Sequence, residues 1–260
     1  MYCGEHLAQE RKVRDVPDRT DPRIDPCRCP WQDSGVKVLA GASIVEPVVE
    51  AGLQPDLSNG DHLTSSVFLA RYEAMPQVKK AELIQNVVYM ASPVSAVHHG
   101  EPDNILQGLL FYYAQSVRNT IAATNATVRL GPDDVIQPDA LLRKSPAAGG
   151  GCTPDAKGYL VGPPELVAEI AASSAAIDLH EKRDSCRRAG VLEYLVWDTS
   201  ARQIHWWALE DGESYAPIPV TDGRATSRGF PGLTLDLAAM VALDGRGALE
   251  VLRAALEQAG

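Results

Sequence analysis

The chain is short of cations. Its 24 lysines and arginines face 34 aspartates and glutamates, which leaves a formal charge of −10 over 260 residues. A surface that grips nucleic acid by bulk positive charge is thereby excluded, and a polyanion would have to be held by a local patch or through a metal ion. Cysteine is scarce too. The five, at positions 3, 27, 29, 152 and 186, are an odd and scattered set, which excludes the disulfide framework of a small secreted domain and fits a reducing cytoplasm. Long apolar runs are missing: the most apolar early stretch, Val36 to Leu53, is broken by Glu46, Pro47, Glu50 and glycines, so no membrane span is expected. The stretch MYCGEHLAQERKVRD is too charged for a signal peptide, so no secretory signal is expected. What is present is ordinary for a globular protein, 45% hydrophobic and 22% charged, on a chain long enough to bury a sizeable core.

Residues 1–60 mix prolines and charges without sustained periodicity, and are expected to be a poorly ordered leader whose Cys3, Cys27 and Cys29 are free thiols rather than zinc ligands. The folded domain is expected over 61–245, with a C-terminal helix over 246–260. Thr64 can cap a short helix ending before Pro76, and 81–90 is a β-rich run closed by Ser92-Pro93. Ile105, Leu106, Leu109, Leu110, Tyr113 and Val117 recur at helical spacing between Asp103 and Thr120. Two strands, 126–130 and 135–142, are joined by the turn residues Gly131-Pro132-Asp133-Asp134. PELVAEIAA, up to Ala172, is apolar on both parities, the mark of a central strand buried on both faces. A helix from about Ile177 to Ala189 ends at Gly190, strands follow at 193–197, 203–209 and 214–218, and the tail from Leu235 is helical. This order predicts an α/β (α+β) fold with a mixed sheet core flanked by helices.

Three residues are out of place on structural grounds. Glu169 lies inside LVAEIAA, where a carboxylate facing the interior costs several kcal/mol unless paired, protonated or metal-bound. Asp139 follows Pro138 within a strand and shares a face with Gln137 and Leu141, and Lys182 lies on the helix after the Glu169 strand. Two carboxylates on neighbouring strands with a lysine suit a hard divalent cation and a phosphate substrate. Spacing alone is also met by a structural Glu169–Lys182 ion pair beside a capping Asp139, the more ordinary reading of such residues.

The residues also resemble a family. The blocks Ala81-Glu82-Leu83-Ile84, Val88-Tyr89-Met90-Ala91-Ser92-Pro93, His98-His99-Gly100, Gln137-Pro138-Asp139-Ala140, Pro164-Glu165-Leu166-Val167-Ala168-Glu169-Ile170, Lys182, Gly190-Val191, Glu193-Tyr194 and Phe230-Pro231-Gly232-Leu233 occur in the order seen in the Uma2 family, restriction endonuclease-like proteins of the PD-(D/E)XK nuclease superfamily. The resemblance runs from Thr64 to about Leu243. It implies a restriction-endonuclease-like core and a Mg²⁺- or Mn²⁺-dependent endonuclease acting on DNA, possible as a homodimer. Asp139 and Glu169 are implied as metal ligands and Lys182 as the catalytic lysine, with Glu82, His98 and Gln137 in support. The superfamily lysine usually follows the second acidic residue by two positions, but position 171 is alanine, and the resemblance places that role on Lys182. Cys186 departs from the family's usual tyrosine, and Asn86 from its glycine.

Arg183, Arg187 and Arg188 are candidates for phosphate contact, although an exposed helix face is the ordinary reading of such a stripe. Of Trp206 and Trp207, neighbours on one strand, at least one is expected in the core rather than stacked on a base. Two other classes of function stay open: a catalytically silent nucleic-acid-binding or regulatory module of the same fold, and a metal-stabilised scaffold for another protein. For the endonuclease, Glu169→Gln and Asp139→Asn are both expected to abolish cleavage without loss of stability.

Overall fold

A computed structural model describes residues 55–260. The three leader cysteines and the apolar stretch at 36–53 lie outside them. Ser65–Glu73 is helix α1, with Thr64 at its N-cap as expected, although the Thr64 hydroxyl meets Ser66 Oγ rather than a helix N–H. The β-rich run at 81–90 is two strands, Ala81–Ile84 (β1) and Val87–Met90 (β2), paired as a tight hairpin. Gln85 and Asn86 form its two-residue turn and both carry positive φ, 52° and 65°, the geometry that matches the twist of the flanking strands. Asparagine in place of the family's glycine is thus accommodated, because it tolerates this backbone region and its amide donates to the Leu63 carbonyl and to Asp133.

After a single π-turn at Ala96–Gly100 come α2 (Glu101–Ser116) and β3 (Thr120–Thr124). The end of the periodicity near Thr120 hid β3, which lies at a sheet edge. The strand expected over 135–142 is broken: β4 (Val128–Arg129) pairs with β5 (Val135–Ile136), the chain leaves the ladder at 137–139, and β6 (Ala140–Lys144) enters a different sheet. Pro138 explains the break, since it cannot donate to a ladder. Short strands β7 (Thr153–Pro154) and β8 (Leu160–Val161) precede β9 (Leu166–Ala171), which is buried along its whole length. The helix expected from Ile177 is two, α3 (Ala175–Leu179) and α4 (Glu181–Ala189), divided at His180. Gly190 ends α4 in the left-handed region at φ 89°. Then follow β10 (Glu193–Asp198), β11 (Gln203–Glu210), β12 (Ser214–Pro217), β13 (Val220–Thr221), β14 (Arg224–Thr226), β15 (Thr234–Asp236), α5 (Leu237–Val241) and α6 (Gly245–Ala259).

The strands form a central mixed sheet ordered β12-β11-β10-β9-β6-β3, a second ordered β2-β1-β5-β4-β8-β7, and a small third of β13-β14-β15. Only β9 and β10 run parallel in the central sheet, and a parallel pair needs a crossover, which here carries α3 and α4. On one face of this sheet, Leu166, Ala168 and Ile170 join Leu106, Leu110 and Tyr113 of α2 and Leu252 of α6. On the other, Val167 and Ala171 join Ile84, Val128 and Ile136 of the second sheet and Cys186 of α4. Strand alternation therefore sends Glu169 toward the second sheet and α4. Trp197 and Trp206 are core residues, whereas Trp207 is half-buried with the Arg183 guanidinium 5.0 Å from its ring centre.

The last residues of the expected leader already pack. Leu57 is buried against α1 and β1, Gly60 N–H donates to the Val88 carbonyl, and Asn59 accepts from Met90 N–H. A chain lacking residues 1–60 is thus expected to be less stable than one lacking 1–54 by about 1.5–3 kcal/mol, the cost of exposing a buried leucine, as read by urea denaturation of the two. Equal stabilities would place the packing boundary beyond residue 60.

Candidate active site

The break after β5 that ends one ladder also positions the site. Asp139, just before β6, lies beside β9, and its Oδ2 accepts the Ile170 N–H at 2.8 Å. Glu169 and Asp139 are thus brought together by backbone pairing, as their neighbours Ala168 and Ala140 are directly paired. Lys182 reaches the same place from α4: its Nζ lies 2.7 Å from Glu169 Oε1 and 2.8 Å from Glu82 Oε1, with Asp178 Oδ1 at 3.7 Å. The contact with Glu169 is an ion pair without the alignment of a directed hydrogen bond. Alternation on β1 turns Ala81 and Leu83 toward α1, so that Glu82 faces this cluster. The lysine side chain is only 1% exposed.

Gln137 supports the site through its backbone. Its N–H donates to Glu82 Oε1, while its side chain is held away by Tyr72 and the Asn125 carbonyl. His98 is not brought in: it is exposed, and its carbonyl accepts from Thr199. His99 is the one that reaches the cluster, with Nε2 3.4 Å from Asp139 Oδ2, because the π-turn offsets the two histidines. The arginine stripe is partly neutralised. Arg187 and Arg188 both bond Asp184, Arg188 also reaches Asp134, and Arg183 lies over Trp207.

Residue patterns alone do not single out Lys80 or Asp178, and they offer His98 and His99 together. Lys80 Nζ lies 2.7 Å from Asp139 Oδ1. Its signal was the two-residue spacing from Glu82 in an extended run, and that of Asp178 was a position four before Lys182. Nothing in the sequence distinguishes His99 from His98.

Charge sets the protonation states. Burial pushes the Glu169 carboxyl well above the ordinary carboxylate range; Lys182 opposes this, and Asp139, Asp178 and Glu82 add to the rise. Burial would also lower the Lys182 ammonium, but Glu169, Glu82 and Asp178 outweigh it and hold the lysine charged. At Asp139 burial favours the neutral form, yet His99, Lys80 and the Ile170 N–H overcome it and keep the carboxyl well below its ordinary value. The hydrogen bond with Asp139 in turn raises His99. Four carboxylates, Glu82, Asp139, Glu169 and Asp178, thus share the ammonium groups of Lys80 and Lys182 and the His99 imidazole.

A hard divalent cation on Asp139 and Glu169 would stabilise the ionised form of Glu169 that burial disfavours. Among the described residues no three His, Cys, Asp or Glu side chains converge as a closed metal cage. A two-carboxylate donor set instead suits Mg²⁺, which uses one or two carboxylates and keeps several waters.

The Uma2 family model, described as "putative restriction endonuclease", matches residues 69–238, a span that contains every one of these site residues. The chain belongs to the Uma2 family. A solved structure from Anabaena variabilis, described as a putative nuclease belonging to DUF820, matches this Uma2 chain with a TM-score of 0.52 at 12% identity, covering 67% of this chain and 97% of that one. At that identity the likeness is one of fold. No curated protein matches the chain. Among the described residues no helix is long and apolar enough to cross a membrane.

Proposed function

We propose that this Uma2 protein is a metal-dependent endonuclease that hydrolyses phosphodiester bonds in DNA. The observation that carries the reading is the buried convergence of Asp139, Glu169, Glu82 and Lys182 from four separate segments, with more carboxylates than ammonium groups. Interiors do not tolerate such a cluster without function or compensation. Asp139 and Glu169 would hold Mg²⁺ or Mn²⁺, which when bound supplies charge neutralisation and an activated water.

The chain's own residues do the rest. Lys182, fixed by Glu169 and Glu82, presents a permanent positive charge beside the carboxylates, where it can orient a water or offset charge developing on a phosphoryl oxygen. Glu82 holds that lysine and is itself held by the Gln137 N–H. Asp139 is kept ionised by its partners and so stays available as an anionic ligand at neutral pH.

The test is cleavage of plasmid, single-stranded DNA and RNA with Mg²⁺, Mn²⁺ or EDTA. The expected result is cation-dependent cleavage of DNA that EDTA abolishes. Binding of DNA without cleavage in any cation would favour the second reading, a silent nucleic-acid-binding module, for which the specific observation is that Lys80 and Lys182 already partner Asp139 and Glu169.

A further inference from the structure

We infer that Lys80 is an exchangeable counter-cation of the site, whose ammonium holds the oxygen of Asp139 that a divalent ion would take and turns to a substrate phosphate once released. The inference rests on Asp139 being a cation ligand. It follows from how the two oxygens of that carboxylate are occupied. Oδ2 accepts the Ile170 N–H at 2.8 Å, a bond made by the backbone of β9 that cannot open without disturbing the central sheet. Among the described residues Oδ1 is held only by Lys80, at 2.7 Å. The oxygen free to be exchanged is therefore Oδ1.

The two lysines differ in how firmly they are held. Lys182 is 1% exposed and lies among three carboxylates. The Lys80 side chain is 27% exposed, immediately precedes β1, and its ammonium hangs on a flexible four-carbon stem. A divalent ion and an ammonium on one buried oxygen would repel strongly, because so little water screens them. Lys80 is the group able to leave. Its backbone stays fixed, since the Ala91 N–H donates to its carbonyl, so the released ammonium remains beside the carboxylates, where a phosphate must enter. On a protein of net charge −10 with Arg187 and Arg188 engaged by Asp184, that one tethered cation matters for substrate capture.

Removing Lys80 should therefore have opposed effects, tightening the divalent ion and weakening the grip on phosphate. The full chain is titrated with Mn²⁺ by calorimetry, without nucleic acid, as wild type, Lys80→Met, Lys80→Gln, Lys80→Arg and Asp139→Asn. Lys80→Met and Lys80→Gln should bind Mn²⁺ roughly ten-fold tighter than wild type, through loss of a competing charge. Lys80→Arg should bind no tighter than wild type, and Asp139→Asn should lose the site. In Ca²⁺, DNA affinity should fall in Lys80→Met despite the better-filled ion site. If wild type binds Mn²⁺ through Asp139 but neither neutral variant binds it tighter, Lys80 does not compete and the inference fails while the cation site stands. If neither wild type nor the neutral variants bind Mn²⁺ in an Asp139-dependent way, both fall together. The glutamine variant serves as the second probe should Lys80→Met fold poorly.

Discussion

Lys182→Met is expected to destabilise the folded protein by about 3–5 kcal/mol, the cost of breaking a buried ion pair by removing one partner. Among the described residues the ammonium is the only cation within 4 Å of Glu169 and Glu82, and its removal leaves the two carboxylates facing each other with Asp178 nearby. The methylene stem is replaced almost volume for volume, so the loss is electrostatic rather than a cavity. Its pH dependence separates the two. Burial already raises the Glu169 carboxyl above its unfolded value of 4.5, and without Lys182 it rises further. A group raised on folding binds its proton more tightly in the native state, so its ionisation costs stability as pH climbs above 4.5. The destabilisation should thus be small near pH 5 and larger at pH 8, as measured by urea denaturation across that range. A penalty independent of pH would mean that Lys182 matters for packing and not for charge.

The apolar run around Glu169, on both parities, requires a central strand, and β9 is one. Asp139, beside a proline in a strand, and Lys182, on the helix after the Glu169 strand, also stand out in the sequence. Pattern fails where backbone geometry is not periodic. It places Pro138 within a strand, yet the chain changes sheets there, and that change sets Asp139 against β9 instead of leaving it in a hairpin with β4. The π-turn at Ala96–Gly100 exchanged His98 for His99 in the same way, since one residue of offset decides which ring points inward. A lysine before a strand is ordinary in composition, so Lys80 becomes notable only through its ammonium 2.7 Å from Asp139. Charge patterning does not by itself show that the arginine stripe on α4 carries its own acid, Asp184.

Glu169→Gln and Asp139→Asn should act alike on hydrolysis and oppositely on stability. Each removes a proposed cation ligand, so cleavage should fall by at least roughly 10²-fold in both. Their stabilities diverge because their partners differ. Glu169 is ionised at a cost, and Lys182 keeps Glu82 at 2.8 Å and Asp178 at 3.7 Å when that charge is gone. Cation-free Glu169→Gln should therefore be as stable as wild type near pH 5 and more stable as pH rises above 4.5. Asp139 is the reverse case. Its folded value is depressed below the unfolded 3.8 by His99, Lys80 and the Ile170 N–H against the pull of burial, so it adds stability above 3.8 that is lost as pH falls through the folded value. Asp139→Asn should cost about 1.5–3 kcal/mol at pH 7, the range for hydrogen bonds to a charged group, and progressively less in acid. This corrects the expectation that the two amides would be equally harmless, and the reason is that Asp139 is fully partnered whereas Glu169 shares one lysine with Glu82 and Asp178. The measurement is paired: initial cleavage rates in Mg²⁺, and melting temperatures in EDTA at pH 5 and pH 8. A large drop in melting temperature for Glu169→Gln at pH 8 would identify its contact with Lys182 as a structural pair and remove the electrostatic argument for a cation site.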